Sequence, residues 1–177
     1  MGVDDHDTFS GLTALQAAAA AGDVSKCIEL LDAGADMNIQ ANGENAGKTA
    51  AMLAAGNGSE DILKAMNRGP SLLNLKDADG GTAAMSAAVH CHVSVLKYLI
   101  EKKVDLNATD SDGWTALMYA CTVGNKEEVE LLIAAGADAS IKNSDGHTAM
   151  DICKQSKKSH PLIKILDPLE PMPTVAE

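Results

Sequence analysis

Apolar and polar positions follow one another along this chain in a pattern that repeats with a fixed period. Five Ala-rich stretches each follow a threonine, and a second apolar stretch with helical spacing comes after a short turn. The threonines are Thr13, Thr49, Thr82, Thr115 and Thr148, and the last four are spaced 33 residues apart. Such a period predicts a row of similar helix-pair units, each of which buries its apolar face against its neighbours.

The second half of each unit predicts another helix and a turn. In the fourth unit, apolar residues occur at helical spacing, as in Val129, Leu131, Leu132 and Ile133, and Gly136 suits a helix end in the left-handed conformation. The connections between units contain Asp-Gly pairs, as in DADGGT and DSDGWT, which favour tight turns and hairpins. The sequence therefore predicts an all-α repeat protein in which helix-turn-helix units are joined by β-hairpin-like loops.

The repeated motifs resemble those of the ankyrin-repeat family, whose unit opens with D-x-x-G-x-T-P-L-H-x-A-A and closes with L-L-x-x-G-A-D-x-N. The resemblance covers roughly residues 9–167, because several motif positions recur in one register in five copies. It implies an ankyrin solenoid, and the segments 1–8 and 168–177, which lack the periodicity, are predicted to be flexible tails. The units are expected at about 9–40, 44–76, 77–109, 110–142 and 143–167.

The chain departs from the family pattern at several positions. Ala follows each repeat Thr in place of Pro, the second unit ends near Pro70 without a Gly-Ala-Asp turn, and residues 41–48 contain a three-residue insertion. Lys154 stands where inner units have a small side chain, which predicts a solvated end to the stack. The family's His, three residues after the repeat Thr, is also replaced, so a local hydrogen bond at the helix start should be lost. The methionines at this position are expected to fill the space between units. The residues that replace the His are Gln16, Met52, Met85, Met118 and Asp151.

The composition of the chain indicates which partners and which compartment to expect. The net charge of −11 disfavours nucleic acid and anionic membrane surfaces, so a protein partner with a basic or neutral surface is expected. No apolar run approaches the ~18 residues of a membrane span, which argues against membrane insertion. The four cysteines form no C-x-x-C pair and lie in apolar, helix-like contexts, as in a reduced intracellular protein. A monomer in the cytoplasm is predicted, with the nucleus as an alternative compartment.

Three motifs resemble nucleotide-binding or metal-binding sites, but each lacks part of the required pattern. GENAGKT at residues 43–49 resembles a phosphate-binding loop, but it has three residues between its glycines where that loop has four. The Asp-x-Asp-Gly hairpins lack the closing Glu of a calcium loop, and His90, Cys91 and His92 would point in different directions on a helix. No catalytic residue, cofactor or metal ligand is therefore predicted. A nucleotide-binding or enzymatic protein acting through residues 43–49 remains the alternative from another functional class.

The family resemblance also places the candidate binding site, since partners of ankyrin-repeat proteins usually lie in the concave groove of hairpin tips and first helices. Trp114, the only Trp, occupies such a tip and is the predicted anchor, with packing on its own hairpin as the alternative. Asp79, Asp112 and Asp145 either stabilise their turns or form an acidic edge that steers a basic partner. The remaining candidates are Lys48, Asn57, Val89, His90, Ser111, Thr122, Val123 and His147.

The predicted function is non-catalytic protein binding by an adaptor or scaffold, through the concave face and hairpin tips of the third and fourth units. The alternative is a fixed structural subunit of a larger intracellular complex, which would bury a larger and more apolar surface. The modest predicted patch and the acidic charge favour the reversible adaptor.

The resemblance further implies candidate modification sites. Asparagine hydroxylation in ankyrin units follows the pattern L-x-x-x-x-x-D-hydrophobic-N, which is matched at Asn38 and Asn107. Both residues also belong to the structural repeat, which accounts for them without any modification.

Overall fold

The computed structural model describes residues 2–66, 70–155 and 162–166. Within these ranges the chain forms ten α-helices and two 3-10 segments, with no strand beyond an isolated bridge between His6 and Thr13. The predicted C-terminal tail, residues 168–177, lies outside the described residues. The helices are α1 (Ala14–Ala21), α2 (Val24–Asp32), α3 (Ala50–Asn57), α4 (Glu60–Ala65), α5 (Ala83–Val89), α6 (Val93–Glu101), α7 (Ala116–Val123), α8 (Lys126–Ala134), α9 (Ala149–Gln155) and α10 (Ile163–Leu166), and the 3-10 segments are Gly43–Asn45 and Pro70–Asn74.

Each first helix begins at its repeat threonine because the Thr hydroxyl caps it. In all five units the hydroxyl oxygen accepts the backbone N–H three residues later at 3.3 or 3.4 Å, as between Thr115 and Met118. Gly22, Gly58 and Gly124 then end α1, α3 and α7 in the left-handed conformation. The threonines and glycines of the motif therefore set the bounds of the helices, and the predicted helix pairs are confirmed.

The third unit ends its first helix without a glycine. Cys91 occupies the position of those glycines, has a φ of +60° and is exposed in the turn between α5 and α6. The prediction that all four cysteines lie in apolar, helix-like contexts is therefore wrong for Cys91, because the position belongs to a turn. Cys27, Cys121 and Cys153 are buried, and none of the four cysteines forms a disulfide.

Small side chains allow the first helices of neighbouring units to pack closely. α1 contacts α3, α3 contacts α5, α5 contacts α7, and α7 contacts α9. Ala54, Ala87 and Ala120 on these helices are fully buried, and residues this small let neighbouring backbones approach. The predicted filling of the row by methionine is confirmed. The buried methionines are Met52, Met85 and Met118.

Polar residues take the place of these methionines at both ends of the row. In the first unit, Gln16 Oε1 accepts the Thr13 N–H at 2.7 Å, and Gln16 Nε2 donates to the Ile39 carbonyl at 2.7 Å. In the last unit, Asp151 Oδ2 accepts the N–H and the hydroxyl of Thr148 at 2.9 and 2.8 Å. The predicted loss of a hydrogen bond at the helix start is therefore wrong for these two units. The Gln16 amide and the Asp151 carboxylate accept the N–H of the capping threonine, whereas the methionine thioether of the inner units does not.

The second unit has a shorter second helix, as its sequence predicts. α4 has six residues, whereas α2, α6 and α8 have nine each. A 3-10 segment follows from Pro70 to Asn74. Proline is tolerated at the start of such a segment because the first residue does not use its backbone N–H in a helical hydrogen bond. The outer edge of this unit consequently differs from that of its neighbours.

Successive connections stack on one another through backbone hydrogen bonds. The Ser111 N–H donates to the Asp79 carbonyl of the preceding connection at 2.7 Å, and equivalent bonds join the other neighbours. Each connection also folds back on itself, as where the Asp110 N–H donates to the Trp114 carbonyl at 3.0 Å. The loops are thus hairpin-like, as predicted, without forming a strand in the described ranges. The stacking donors are Asn42, Ala78, Ser111 and Ser144.

Residues 2–8, predicted to form a flexible tail, lie against the first unit. Asp4 Oδ1 accepts the Asp36 N–H at 2.9 Å, and His6 Nε2 lies 3.0 Å from a carbonyl oxygen of the same unit. Between the third and fourth units, Asn107 Oδ1 accepts the Asp138 N–H, so Asp4 takes the place of such an asparagine for the first unit. This segment therefore supplies contacts that the outer loop of a preceding unit would make, although it carries no repeat motif.

Two glycines at one hairpin position allow the stacking to be tested. Gly113 and Gly146 have φ values of +77° and +80°. A Cβ at Gly113 would lie 2.9 Å from Asn143 Cα, whereas one at Gly146 would meet no atom within 4 Å. We expect Gly146→Ala to cost about 1 kcal/mol of unfolding free energy through backbone strain. Gly113→Ala should cost about 2–3 kcal/mol because the hairpins must also separate. Urea denaturation measures both, and equal losses would contradict the stacking.

Candidate functional site

The hairpin carboxylates divide into two groups with different roles. Asp110 Oδ1 accepts two backbone N–H groups of its own hairpin at 3.0 and 2.8 Å, and Asp77 makes the same pair of bonds. Asp79, Asp112 and Asp145 are exposed, and their carboxylates accept no hydrogen bond from any described residue. The prediction that these three stabilise the turns is therefore wrong, because the residue two positions earlier does so. The interpretation as an acidic edge remains.

Trp114 is held in place by a neighbour from its own unit. Its indole ring lies 5.2 Å from the Tyr119 ring, at an interplanar angle of 37°. The Tyr119 hydroxyl donates to Asp110 Oδ2 at 2.6 Å, and burial followed by this hydrogen bond raises the pKa of Tyr119 well above its usual range. Trp114 therefore packs on its own unit while remaining partly exposed, and its role as a partner anchor stays a prediction.

One side of Trp114 borders a hollow of about 300 Å³ between the fourth and fifth units, called here the Trp114 hollow. The hollow brings together the predicted residues Trp114, Thr122 and His147. It also includes Ile152 and Gln155 from α9, which sequence reasoning missed because it considered only the hairpin tip of the fifth unit. Asn143 and Asp145 complete its lining.

A second hollow, of about 260 Å³, lies between the third and fourth units and is called the acidic hollow. Three carboxylates face a single Lys48 in its lining, and the Tyr119 ring separates it from Trp114. The His90 ring is fixed there, since its Nδ1 lies 2.9 Å from the Ser86 carbonyl oxygen. The predicted members are Lys48, Asp79, Val89 and His90, and the others are Asp77, Gly81, Met85, Ser86, Asp110 and Tyr119.

A third hollow, of about 270 Å³, continues the face toward the first unit and shares Lys48, Ser86 and His90 with the acidic hollow. Asn57 lines it, but the Asn57 Nδ2 donates to the Ala20 carbonyl at 2.5 Å. The amide is thus used to join the first two units, and the structure gives Asn57 an architectural role. The other lining residues are Ala20, Met52, Leu53 and Gly56.

Three predicted site residues lie outside the three hollows. Val123 is exposed at the end of α7, and Ser111 and Asp112 are exposed at the hairpin tip beside Trp114. Ser111 uses its backbone N–H in the hairpin stack. These residues form the rim of the surface rather than its lining.

The segment 43–49 does not have the geometry of a phosphate loop. Residues Gly43–Asn45 form a 3-10 turn, and Thr49 caps α3 as the other repeat threonines cap their helices. The Lys48 carbonyl accepts the Ala41 N–H at 2.9 Å, which closes a hairpin. No buried strand precedes the segment in the described ranges, whereas a phosphate loop requires one.

The His90, Cys91 and His92 cluster is explained by local structure. The His90 and His92 rings are stacked with centroids 6.1 Å apart, and His92 Nε2 lies 3.0 Å from the Gly56 carbonyl oxygen. Among the described residues, no three His, Cys, Asp or Glu side chains are arranged to hold a metal ion. No described helix is both long enough and apolar enough to cross a bilayer.

The two candidate hydroxylation sites are exposed and take part in outer-loop contacts. Asn38 Nδ2 donates to Asp36 Oδ1 at 2.8 Å, and Asn107 Oδ1 accepts the Asp138 N–H at 2.8 Å. The second bond joins the third unit to the fourth. These contacts account for both asparagines within the repeat, and hydroxylation stays a prediction.

The comparison with protein families agrees with the repeated helix pairs. A family model described as ankyrin repeats (three copies) matches residues 1–70, 66–143 and 103–167. A search of curated proteins finds no match to the sequence. The family matches span all five units and their capping threonines, stacked hairpins and left-handed glycine turns. This chain belongs to the ankyrin-repeat family.

Proposed function

We propose that this chain is a non-catalytic adaptor that binds a protein partner through the hairpin tips and first helices of its third, fourth and fifth units. The observation that carries the proposal is the position of Trp114 between the Trp114 hollow, whose lining includes Ile152, and the acidic hollow, which the Tyr119 ring separates from it. A large, partly exposed aromatic ring held by a second ring is the kind of rigid anchor found at interface hot spots.

The two hollows support a specific partner chemistry. The Trp114 hollow, with Trp114 and Ile152 in its lining, would take an aliphatic or aromatic side chain. The acidic hollow, with Asp77, Asp79 and Asp110, would take the cationic end of a Lys or Arg. The net charge of −11 would attract such a partner at long range. We therefore expect the partner to present a basic residue close to a large apolar residue.

The surface supports reversible binding better than permanent assembly. The exposed large hydrophobic side chains of the described ranges are scattered and do not form one broad patch. The lack of a disulfide among the four cysteines suits a reducing compartment such as the cytoplasm or nucleus. Those exposed side chains are Phe9, Ile28, Val89 and Val123.

Selection from a random peptide library tests this proposal. We expect wild-type protein to enrich peptides in which Lys or Arg stands near an aliphatic or aromatic residue. Asp79→Asn should weaken the basic preference, since it removes one exposed carboxylate from the acidic hollow. Asp32→Asn, at an exposed carboxylate at the end of α2, is the control and should leave the preference unchanged. Enrichment of acidic peptides, or none at all, would refute the proposal.

A further inference from the structure

Glu128 is a carboxylate without a partner in the interior of the stack. It is the third residue of α8, where its backbone N–H donates to Asn125 Oδ1 at 3.4 Å. Its side chain is 0% exposed, and neither carboxylate oxygen has a hydrogen-bond partner in the part of the chain that the structure describes. Burying an ionised carboxylate in this way is costly, so its protonation state must matter to the packing around it.

The repeat shows which packing surface contains Glu128. The equivalent residues of the earlier units are Lys26, Ile62 and Val95. Ile62 and Val95 are fully buried, whereas Lys26, in the unit that no helix pair precedes, is exposed. The burial therefore comes from the preceding unit. Glu128 lies at the joint between the third and fourth units, where α8 contacts α6.

The charged groups near this joint are engaged with one another and leave Glu128 alone. Lys97 of α6 forms an ion pair with Glu127 at 2.8 Å, and Lys126 forms one with Glu130 at 3.4 Å. Burial and, to a smaller extent, repulsion from Glu127 raise the pKa of Glu128 to about 7. The titratable residues on the helices that contact α8 are Lys97, Tyr98 and Glu101 on α6, Tyr119 and Cys121 on α7, and Lys164 on α10.

We propose that Glu128 makes the joint between the third and fourth units sensitive to protonation, so that the joint packs tightly while the carboxyl is neutral and loosens when it ionises. The neutral group occupies a site that holds an aliphatic side chain in the two earlier joints. The ionised group must admit water or draw Lys97 away from Glu127. The same two units form the acidic hollow, so loosening would also change the binding surface, a consequence that rests on the proposed function.

The direction of the pH dependence follows from the raised pKa. The carboxyl has a reference value of 4.5 when unfolded and about 7 when folded, so between these values only the folded state keeps the proton. The stabilisation from protonation is fully present below about pH 4.5 and is lost as the pH rises through about 7. Carboxylates such as Asp36 and Asp138, whose pKa values are lowered by hydrogen bonds, act in the opposite direction. A comparison with a matched variant removes their contribution.

Thermal melting of wild type and Glu128→Gln between pH 5 and 8.5 tests the joint without any partner. We expect the variant's melting temperature to rise relative to wild type by roughly 5 °C over this range, with most of the change below pH 8. Glu130→Gln, on the same helix but paired with Lys126, should follow wild type. Amide exchange in α6 and α8 should be faster in wild type than in Glu128→Gln at pH 8, after correction for intrinsic rates.

Glu128→Val provides a second variant, because Val95 fills the equivalent site of the third unit. It should fold and have a higher melting temperature than wild type at pH 8. Its melting temperature should also lose the same part of the pH dependence as that of Glu128→Gln. Parallel pH profiles for wild type and both variants would overturn the proposal, as would failure of both neutral variants to fold. Neither result depends on whether a basic peptide binds, so the joint and the proposed function are tested separately.

Discussion

Replacing Leu99 with alanine is expected to lower the free energy of unfolding by about 3 kcal/mol. Leu99 is 0% exposed in α6, in the middle unit of the stack. Its removal would leave a cavity that close-packed neighbours on both sides cannot fill, since each unit is held by the next. Urea denaturation followed by circular dichroism measures the loss as a shift in midpoint at constant slope.

Ile28→Ala serves as the control for this substitution. Ile28 also lies on a second helix, but it is 44% exposed and in the first unit. We expect a loss below about 1 kcal/mol, because little apolar area is returned to water. Equal losses for the two variants would mean that the second helices do not form one buried row.

Replacing Trp114 with alanine is expected to weaken binding of a selected peptide by about 2 kcal/mol or more, which is about 30-fold in Kd. The ring borders the Trp114 hollow and is held by Tyr119, so the partner loses a preorganised aromatic contact. The cost in unfolding free energy should be smaller, about 1 kcal/mol, because one partly exposed aromatic pair is lost. Isothermal calorimetry gives the affinity, and thermal melting gives the stability.

Val123→Ala is the matched control for the binding experiment. Val123 is exposed at the end of α7 and lies outside the three hollows. Its removal should leave the Kd within about twofold, as for most rim residues. A large stability loss for Trp114→Ala with unchanged affinity would make the indole a structural residue and remove it from the binding surface.

The helix pairs could be predicted from sequence because the determining residues act locally. The hydroxyl of Thr115 reaches the N–H three residues on, and Gly124 adopts the left-handed conformation, in whichever unit such residues stand. The residues that stand 33 positions later then form the same cap and the same turn. Periodicity alone therefore predicted the helix pairs, and the family resemblance implied that they stack.

The binding surface was less predictable because it depends on contacts between units. The carboxylates of Asp77 and Asp79 look alike in sequence, and only the hairpin geometry assigns the turn bonds to Asp77. Ile152 enters the Trp114 hollow from the next unit, which a search for hairpin tips does not include. A charged helix segment, KEEVE, likewise gives no sign that Glu128 is buried. Such features follow from tertiary packing, which overrides the local pattern.

The contacts of the N-terminal segment were not predicted from sequence for a related reason. Asp4 and His6 carry no repeat motif, yet they hydrogen bond where a preceding unit would. The backbone groups of the first unit need partners, and any polar residues of the right reach can supply them. Sequence reasoning that relies on motif matches alone does not detect this substitution.

Amide hydrogen–deuterium exchange of the protein, with and without the tightest selected peptide, identifies the residues that the partner covers. We expect the peptide to slow exchange at residues 77–90, 110–123 and 143–155, which contain the Trp114 hollow and every residue of the acidic hollow except Lys48. Exchange in the second helices α2 and α4 should stay the same. Protection confined to those second helices or to the first unit, with none around Trp114, would contradict the proposed binding surface.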